Sequence, residues 1–349
     1  MTKEFRREFQ EYREKYWPAV AEVVDRAVVD AGLEGTTLAS MIAYQMNSGG
    51  KRLRAVLPLM MAEALGRSPV ELVPFGAACE LIHNATLVHD DLQDGDRTRR
   101  GEPAVWVKYG AAQAINLGDG LLYLAPRCLE YLEIEDSLRW SVTMEVLQQV
   151  LQVIDGQERE FALDFETATV NDYERMVEGK TSGLFAVPLV GAARIGGADE
   201  AMVTGLAEAC GHLGGLFQIQ DDVLDLYGEK GRETPGGDLR EGKISALVLA
   251  FREIADGDDR ARLGRLVNSD REAVEESEVQ WAIEAFRSQG ALQSVLEAIE
   301  TRRQRARSVE GLDDYPKVRQ FVDSMAELFL APIAHLINES ESNIPREGR

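Results

Sequence analysis

Two stretches of similar sequence, LIHNATLVHDDLQD at residues 81–94 and HLGGLFQIQDDVLD at residues 212–225, decide the fold. Each is an apolar segment with helical spacing that ends in Asp-Asp-x-x-Asp. Bare carboxylates are costly after an apolar run unless a cation compensates for their charge. The repetition therefore indicates two helices that meet in one site.

Helical spacing of apolar residues continues through most of the chain, and convincing period-2 strand patterns are absent. The predicted long helices cover residues 5–29, 70–92, 111–132, 140–163, 202–226 and 318–337. The acidic segment 255–272 is predicted to join helices at the surface. We predict one all-α domain over residues 1–337, followed by a polar, disordered tail over residues 338–349.

The aspartate clusters predict a site for divalent cations. They consist of Asp90, Asp91 and Asp94 and of Asp221, Asp222 and Asp225. Residues one helical turn apart share a face, so the outer carboxylates of a cluster can bind one ligand. Oxygen ligands favour Mg²⁺, which takes one or two carboxylates together with waters and substrate phosphates. Several such ions imply a polyanionic ligand, most simply a diphosphate.

Basic residues that suit a diphosphate occur at several short motifs. Gly49-Gly50-Lys51-Arg52-Leu53-Arg54 is a glycine turn that opens a helix, which favours anion binding. Lys180 and Lys243 also lie beside small or polar residues. Three of the chain's eight lysines thus fall in candidate phosphate sites.

The overall charge excludes some partners. The 349 residues carry 60 acidic and 38 basic side chains, a formal charge of −22, which argues against nucleic acid and anionic membranes. Few lysines among many acids is typical of a halophilic protein or of a merely acidic one. Cys79, Cys128 and Cys210 have no metal-site spacing, and signal and transmembrane patterns are absent, so we predict a cytoplasmic protein.

Together these motifs resemble the trans-isoprenyl diphosphate synthases, or polyprenyl synthetases. The resemblance extends from Gly49 to Lys243 and includes the glycine turn, both aspartate clusters, Arg99-Arg100-Gly101, Gly156-Gln157, Lys180-Thr181 and Gly242-Lys243. It implies an all-α bundle of long helices around a central cavity, of the isoprenoid synthase type and usually homodimeric. It also implies the condensation of isopentenyl diphosphate with an allylic diphosphate.

The resemblance assigns roles to individual positions. The expected Mg²⁺ ligands, for three ions with bound diphosphate, are Asp90, Asp94 and Asp221, with Asp91, Asp222 and Asp225 as their partners. The expected contacts of the allylic diphosphate are Arg99, Lys180 and Lys243. Those of isopentenyl diphosphate are Lys51, Arg54, His83 and Arg100. Thr181 and Gln218 are expected to point oxygen dipoles toward the developing carbocation.

One position departs from the family pattern. The family usually carries a second lysine four or five residues before the Asp of its Gly-x-Asp motif, where this chain has Glu233 and Thr234. Arg232 and Lys230 are the candidate substitutes. The departure puts one contact of the allylic diphosphate in doubt.

Product length is predicted from the helix before Asp90. In the family, aromatic side chains at the two positions one helical turn before the first Asp are typical of enzymes that make short products. In this chain those positions are Ala85 and Thr86. Ile82, further up, is not aromatic either. We predict C20 geranylgeranyl diphosphate as the product, with C25 as the longer alternative. Tyr123 is an alternative residue for the bottom of the pocket that holds the growing chain.

Two other functions fit parts of the pattern. A head-to-head synthase or a terpene cyclase also uses Asp-rich helices, but neither needs the isopentenyl diphosphate residues. A non-catalytic subunit of a heteromeric synthase commonly loses one Asp cluster, and both clusters are intact here.

Overall fold

A computed structural model describes residues 2–228 and 235–343. Its helices are α1 (Thr2–Asp30), α2 (Thr37–Asn47), α3 (Leu53–Ala64), α4 (Val73–Gln93), α5 (Val105–Tyr109), α6 (Ala111–Leu129), α7 (Asp136–Ala162), α8 (Val170–Val177), α9 (Gly183–Ile195), α10 (Glu200–Tyr227), α11 (Gly237–Arg240), α12 (Ala246–Ile254), α13 (Gly257–Val267), α14 (Glu276–Ser288), α15 (Ala291–Arg307), α16 (Pro316–Leu330) and α17 (Ala334–Asn343). In these residues β-structure is limited to β1 (Thr98–Arg99), paired antiparallel with β2 (Glu102–Pro103). The predicted all-α class is confirmed.

The predicted long helices correspond to α1, α4, α6, α7, α10 and the pair α16–α17. No described helix is both long enough and apolar enough to cross a bilayer. The helix α17 continues past the predicted start of the tail at Asn338 as far as Asn343. Lys230, Arg232, Glu233 and Thr234, the positions of the family departure, lie outside the described residues.

The prediction for residues 255–272 was wrong, because the helix α13 lies within that segment. The side chain of Asp256 accepts hydrogen bonds from the backbone N–H groups of Asp258 (3.1 Å) and Asp259 (3.0 Å), which caps the helix. Leu263 and Leu266 are buried. The acidic first turn therefore serves a helix start rather than a linker.

The first of two compact units comprises Met1–Val150, Leu184–Ala207 and Gly311–Phe321. Its core is built around α4, which is buried on nearly every side and packs against α3 and α6. A 3₁₀ turn with a capping box between Ser68 and Glu71 leads into α4, and Pro74 occupies its first turn. The helix ends at Gln93, so the first aspartate cluster occupies its last turn and its C-cap.

The second unit comprises Leu151–Gly183, Glu208–Glu310 and Val322–Arg349. Its core includes the fully buried rings of Phe165, Phe251 and Phe286. A capping box between Thr169 and Asp172 starts α8, which runs into a π-helical turn over Glu178–Ser182. The second aspartate cluster lies in the last two turns of α10.

Candidate active site

The first aspartate cluster contains carboxylates in two environments. Asp90 and Asp94 are half-buried, whereas Asp91 is only 1% exposed. Arg99, on β1, donates through Nε to Oδ1 of Asp91 at 2.7 Å. Burial raises the pKa of Asp91, and the hydrogen bond from Arg99 acts in the opposite direction. Asp91 therefore anchors Arg99, while Asp90 and Asp94 occupy positions one helical turn apart.

The glycine turn before α3 brings several cations together. Arg54 is buried, and its guanidinium lies 4.1 Å from the centroid of the Phe185 ring. Burial lowers the pKa of Arg54 to about 10, so it remains charged at neutral pH. Arg100 donates to the carbonyl of Gly49, and a Cβ at Gly50 would lie 2.5 Å from the guanidinium carbon of Arg100. Gly50, with φ of +110°, is therefore required at this close approach.

His83 lies close to this group of cations. Its pKa is held well below the ordinary value, first by burial and then by the positive charges of Arg54 and Arg100. Its Nδ1 atom has no hydrogen-bond partner among the described residues. The guanidinium groups near this neutral imidazole create a positive potential, and a bound anion would lower that potential. The structure thus brings Arg54, His83 and Arg100 together, and Lys51 is exposed two residues after Gly49.

The second aspartate cluster differs from the first in its outer residues. Asp221 is half-buried, but Asp222 and Asp225 are both buried. Oδ2 of Asp225 accepts a hydrogen bond from the backbone N–H of Asp238 at 3.1 Å, at the start of α11. Asp225 therefore ties α10 to the start of α11.

Asp222 accepts three hydrogen bonds. The donors are the hydroxyl of Tyr173 (2.7 Å), the amide of Gln218 (3.0 Å) and the backbone N–H of Ala246 (2.8 Å). Burial and the charge of Asp238 raise the pKa of Asp222 to about 7, although these donors favour its ionised form. Asp222 thus joins α10 to α8 and α12, and Tyr173 was not anticipated from the sequence.

Lys180 and Thr181 lie on the π-helical turn that follows α8. The hydroxyl of Thr181 donates to Oε1 of Gln218 at 2.7 Å, so these two predicted neighbours are in direct contact. Lys180 forms an ion pair with Glu160 on α7. Lys243 lies 2.8 Å from Glu241, between Nζ and Oε2. Sequence reasoning missed both glutamates; a half-buried lysine is costly without a carboxylate partner, but the burial of Lys180 and Lys243 depends on the fold.

A cation bound at these aspartates would take some of its ligands from the protein and the others from a substrate. Within residues 2–228 and 235–343, no three His, Cys, Asp or Glu side chains are close enough to hold a metal ion by themselves. Mg²⁺ usually takes one or two protein carboxylates and fills its shell with waters and phosphate oxygens. Asp90 and Asp94, one helical turn apart at the end of α4, carry oxygen donors of that kind, and Asp221 on α10 carries another.

The predicted product-length positions lie on α4. Ala85 and Ile82 are buried, and Thr86 is half-buried with its hydroxyl donating to the carbonyl of His83 at 2.9 Å. Tyr123 is 82% exposed, so within one chain it does not close the bottom of a buried pocket.

The chain matches known proteins over most of its length. The family model described as Polyprenyl synthetase matches residues 36–286. A geranylgeranyl diphosphate synthase of Methanosarcina mazei is 40% identical over 212 residues, 59% of this chain and 64% of that protein. A farnesyl diphosphate synthase of Geobacillus stearothermophilus is 35% identical over 229 residues, 62% of this chain and 76% of that protein.

The same likeness holds for the structure. A crystal structure of a geranylgeranyl pyrophosphate synthase superimposes with a TM-score of 0.82 and 27% identity. The superposition covers 93% of this chain and 98% of that one.

Proposed function

The chain belongs to the polyprenyl synthetase family, and we propose that it condenses isopentenyl diphosphate with an allylic diphosphate to give a longer trans-prenyl diphosphate. The predictions of this family and of a prenyltransferase are confirmed at the level of the family. The substrates, the metal, the product length and the residue roles are parts of the proposal.

The cluster of Arg54, His83 and Arg100 carries the proposal. The positive charges of Arg54 and Arg100 act on the half-buried imidazole of His83 and lower its pKa, and such a group of cations suits a diphosphate group. A terpene cyclase or a head-to-head synthase has no need of a second diphosphate site for isopentenyl diphosphate. The cluster, completed by the exposed Lys51, therefore favours chain elongation.

The allylic diphosphate would bind near the half-buried carboxylates through Mg²⁺. Asp90, Asp94 and Asp221 are the proposed ligands. When bound, Mg²⁺ would neutralise charge on the diphosphate as it leaves. Lys180 and Lys243 would donate to its oxygens, and Arg99, held by Asp91, would present its remaining N–H groups in the same way.

The allylic carbocation left by ionisation would be intercepted by the double bond of isopentenyl diphosphate. Thr181 and Gln218, which share a hydrogen bond, would direct oxygen lone pairs toward that cation. The departing diphosphate is the proposed base for the final proton. This chain then needs no dedicated histidine or glutamate base.

The experiment that tests the function is incubation of the purified chain with Mg²⁺, isopentenyl diphosphate and each of the C5, C10 and C15 allylic primers. We expect elongation, with product length read by chromatography across salt concentrations, because the halophilic character stays a prediction. Elongation should disappear with EDTA. Consumption of an allylic substrate without isopentenyl diphosphate would instead favour a cyclase or head-to-head synthase. An inactive isolated chain would favour a partner subunit.

We propose a C20 product, with C25 as the alternative. The support is the absence of an aromatic ring at Ala85, Thr86 and Ile82 on α4. Relatives with both C20 and C15 names match this chain, so product length needs its own measurement.

Replacement of Ala85 by phenylalanine is expected to shorten the main product by at least one C5 unit. Ala85 is fully buried, so the added ring must occupy space beside α4 rather than solvent. The measurement is product chain length with a C10 primer. Ala112→Phe, at an exposed position on α6, is the matched control and should leave product length unchanged. An unchanged product from Ala85→Phe would contradict this assignment.

A homodimer is the proposed assembly, and one face of α7 supports it. The large apolar side chains exposed along this helix are Trp140, Met144, Leu147, Leu151, Ile154 and Phe161. Most are spaced by alternating steps of four and three residues, which is the pattern of a helix that packs against another helix. We expect a dimer in light scattering at micromolar concentration. A monomer under those conditions would contradict the proposal.

A further inference from the structure

We propose that Glu80 is a positioning residue for isopentenyl diphosphate and acts through Arg52. Glu80 holds the backbone of Arg52 in the conformation that positions Lys51 and Arg54 for binding. The inference rests on the proposed function and concerns residues to which that function assigns no role. It also gives α1 a part in the site, through Trp17.

Arg52 has an unusual backbone conformation. Its φ of 58° and ψ of 35° place it in the left-handed region, which a residue with a Cβ rarely adopts. Arg52 lies directly before α3, between Lys51 and the helix that carries Arg54. Such strain persists only where surrounding contacts impose it, and it clusters at binding sites.

Three contacts hold the Arg52 side chain. Its Nη1 lies 3.0 Å from Oε1 of Glu80, and its Nη2 donates to the carbonyl of Met46. Its guanidinium lies 4.1 Å from the centroid of the Trp17 ring. Since the side chains of Arg52 and Glu80 are 6% and 1% exposed, the ion pair is buried and breaking it leaves an unpaired charge.

Glu80 also fixes the first turn of α3. Its Oε2 accepts a hydrogen bond from the backbone N–H of Ala55 at 3.3 Å, one residue after Arg54. Its Oε1 accepts from the amide of Asn84 at 3.2 Å, and Gln45 donates to Asn84 at 3.2 Å. A buried network whose members are satisfied in this way specifies one arrangement of the chain.

The geometry separates supporting residues from binding residues. Glu80 accepts hydrogen bonds from Arg52, Ala55 and Asn84, whereas Lys51, the residue before Arg52, is exposed. Trp17, which covers Arg52, precedes residues 36–286 that match the family model. An N-terminal helix outside that match thus supports the turn.

The test is Glu80→Gln, which keeps the size of the side chain and removes its charge. We expect the Kd for isopentenyl diphosphate, measured by calorimetry, and its KM to rise about tenfold, because a displacement of the order of 1 Å weakens a positioned site. The KM for the allylic substrate should stay within about threefold. Glu71→Gln is the control, because Glu71 forms an exposed ion pair with Arg67 (2.9 Å) and glutamine preserves its capping box.

A second variant covers the case in which Glu80→Gln fails to fold. Trp17→Leu keeps apolar cover over Arg52 but removes the aromatic face, and we expect a rise of about threefold in the same Kd. Unchanged affinity in either folded variant, or equal losses for both substrates, would overturn the inference. If the wild-type chain binds isopentenyl diphosphate, loses affinity on Glu80→Gln and yet elongates nothing, the proposed function fails while the positioning role stands.

Discussion

Asp90→Ala and Asp221→Ala should each lower kcat by about 10²–10³-fold, the loss typical of removing one group that stabilises developing charge. Both carboxylates are half-buried, whereas the next residues, Asp91 and Asp222, are buried. The outer positions are therefore those suited to a cation that also binds substrate oxygens. The Mg²⁺ concentration for half-maximal activity should rise in each variant, and Mg²⁺ titration of initial rates measures it.

Two comparisons make this prediction specific. Asp25→Ala removes one negative charge from an exposed position on α1 and should leave both kcat and the Mg²⁺ dependence unchanged. Asp222→Asn should instead lower the thermal unfolding temperature. The two carboxylate oxygens of Asp222 accept three hydrogen bonds, whereas asparagine offers a single acceptor oxygen. A double Asp90→Ala, Asp221→Ala variant with full activity would contradict both the metal assignment and the proposed reaction.

Local sequence signals predicted the helices because helical periodicity is a local property. The apolar spacing around residues 81–94 anticipated α4, and its nearly uniform apolarity anticipated its burial. The same reasoning fails for residues 255–272, where acidic residues predict a linker although Asp256 caps a helix. Charge density alone does not distinguish an exposed loop from the start of a helix.

Side-chain direction within the candidate site could not be predicted locally. Local spacing alone does not distinguish Asp90 from Asp91, but Arg99 is brought beside Asp91 by the turn that leads to β1. Asp222 meets Tyr173 from α8, and Arg52 meets Glu80 from α4. These partners lie between 8 and 49 residues apart, so they depend on how the helices pack.

Gly156→Ala should lower kcat by about 10²-fold through a displacement of the π-helical turn. Gly156 lies on α7, and a Cβ there would be 2.2 Å from the backbone nitrogen of Lys180 and 2.7 Å from the carbonyl carbon of Gly179. Both obstacles are backbone atoms, so no side-chain rotation can relieve the overlap. The turn carries Lys180 and Thr181, and it must move away from α7.

The turn is confined on its other side as well. A Cβ at Gly214 on α10 would lie 2.4 Å from the Cα of Ser182, so α10 leaves little room for the displaced backbone. Movement of the turn would alter both the Lys180–Glu160 ion pair and the hydrogen bond from Thr181 to Gln218. We therefore expect Gly156→Ala to cost about 1–3 kcal/mol of unfolding free energy, as overpacking does, besides its loss of turnover.

Gly211→Ala is the matched control, because Gly211 is also a helical glycine of the second unit and a Cβ there meets nothing within 4 Å. Alanine favours a helix interior by up to about 1 kcal/mol over glycine, so this variant should be at least as stable as the wild type and fully active. The measurements are thermal unfolding and steady-state kinetics with the allylic substrate varied. Full activity of Gly156→Ala would mean that the position of Lys180 does not limit turnover, and the roles proposed for Lys180 and Thr181 would then be wrong.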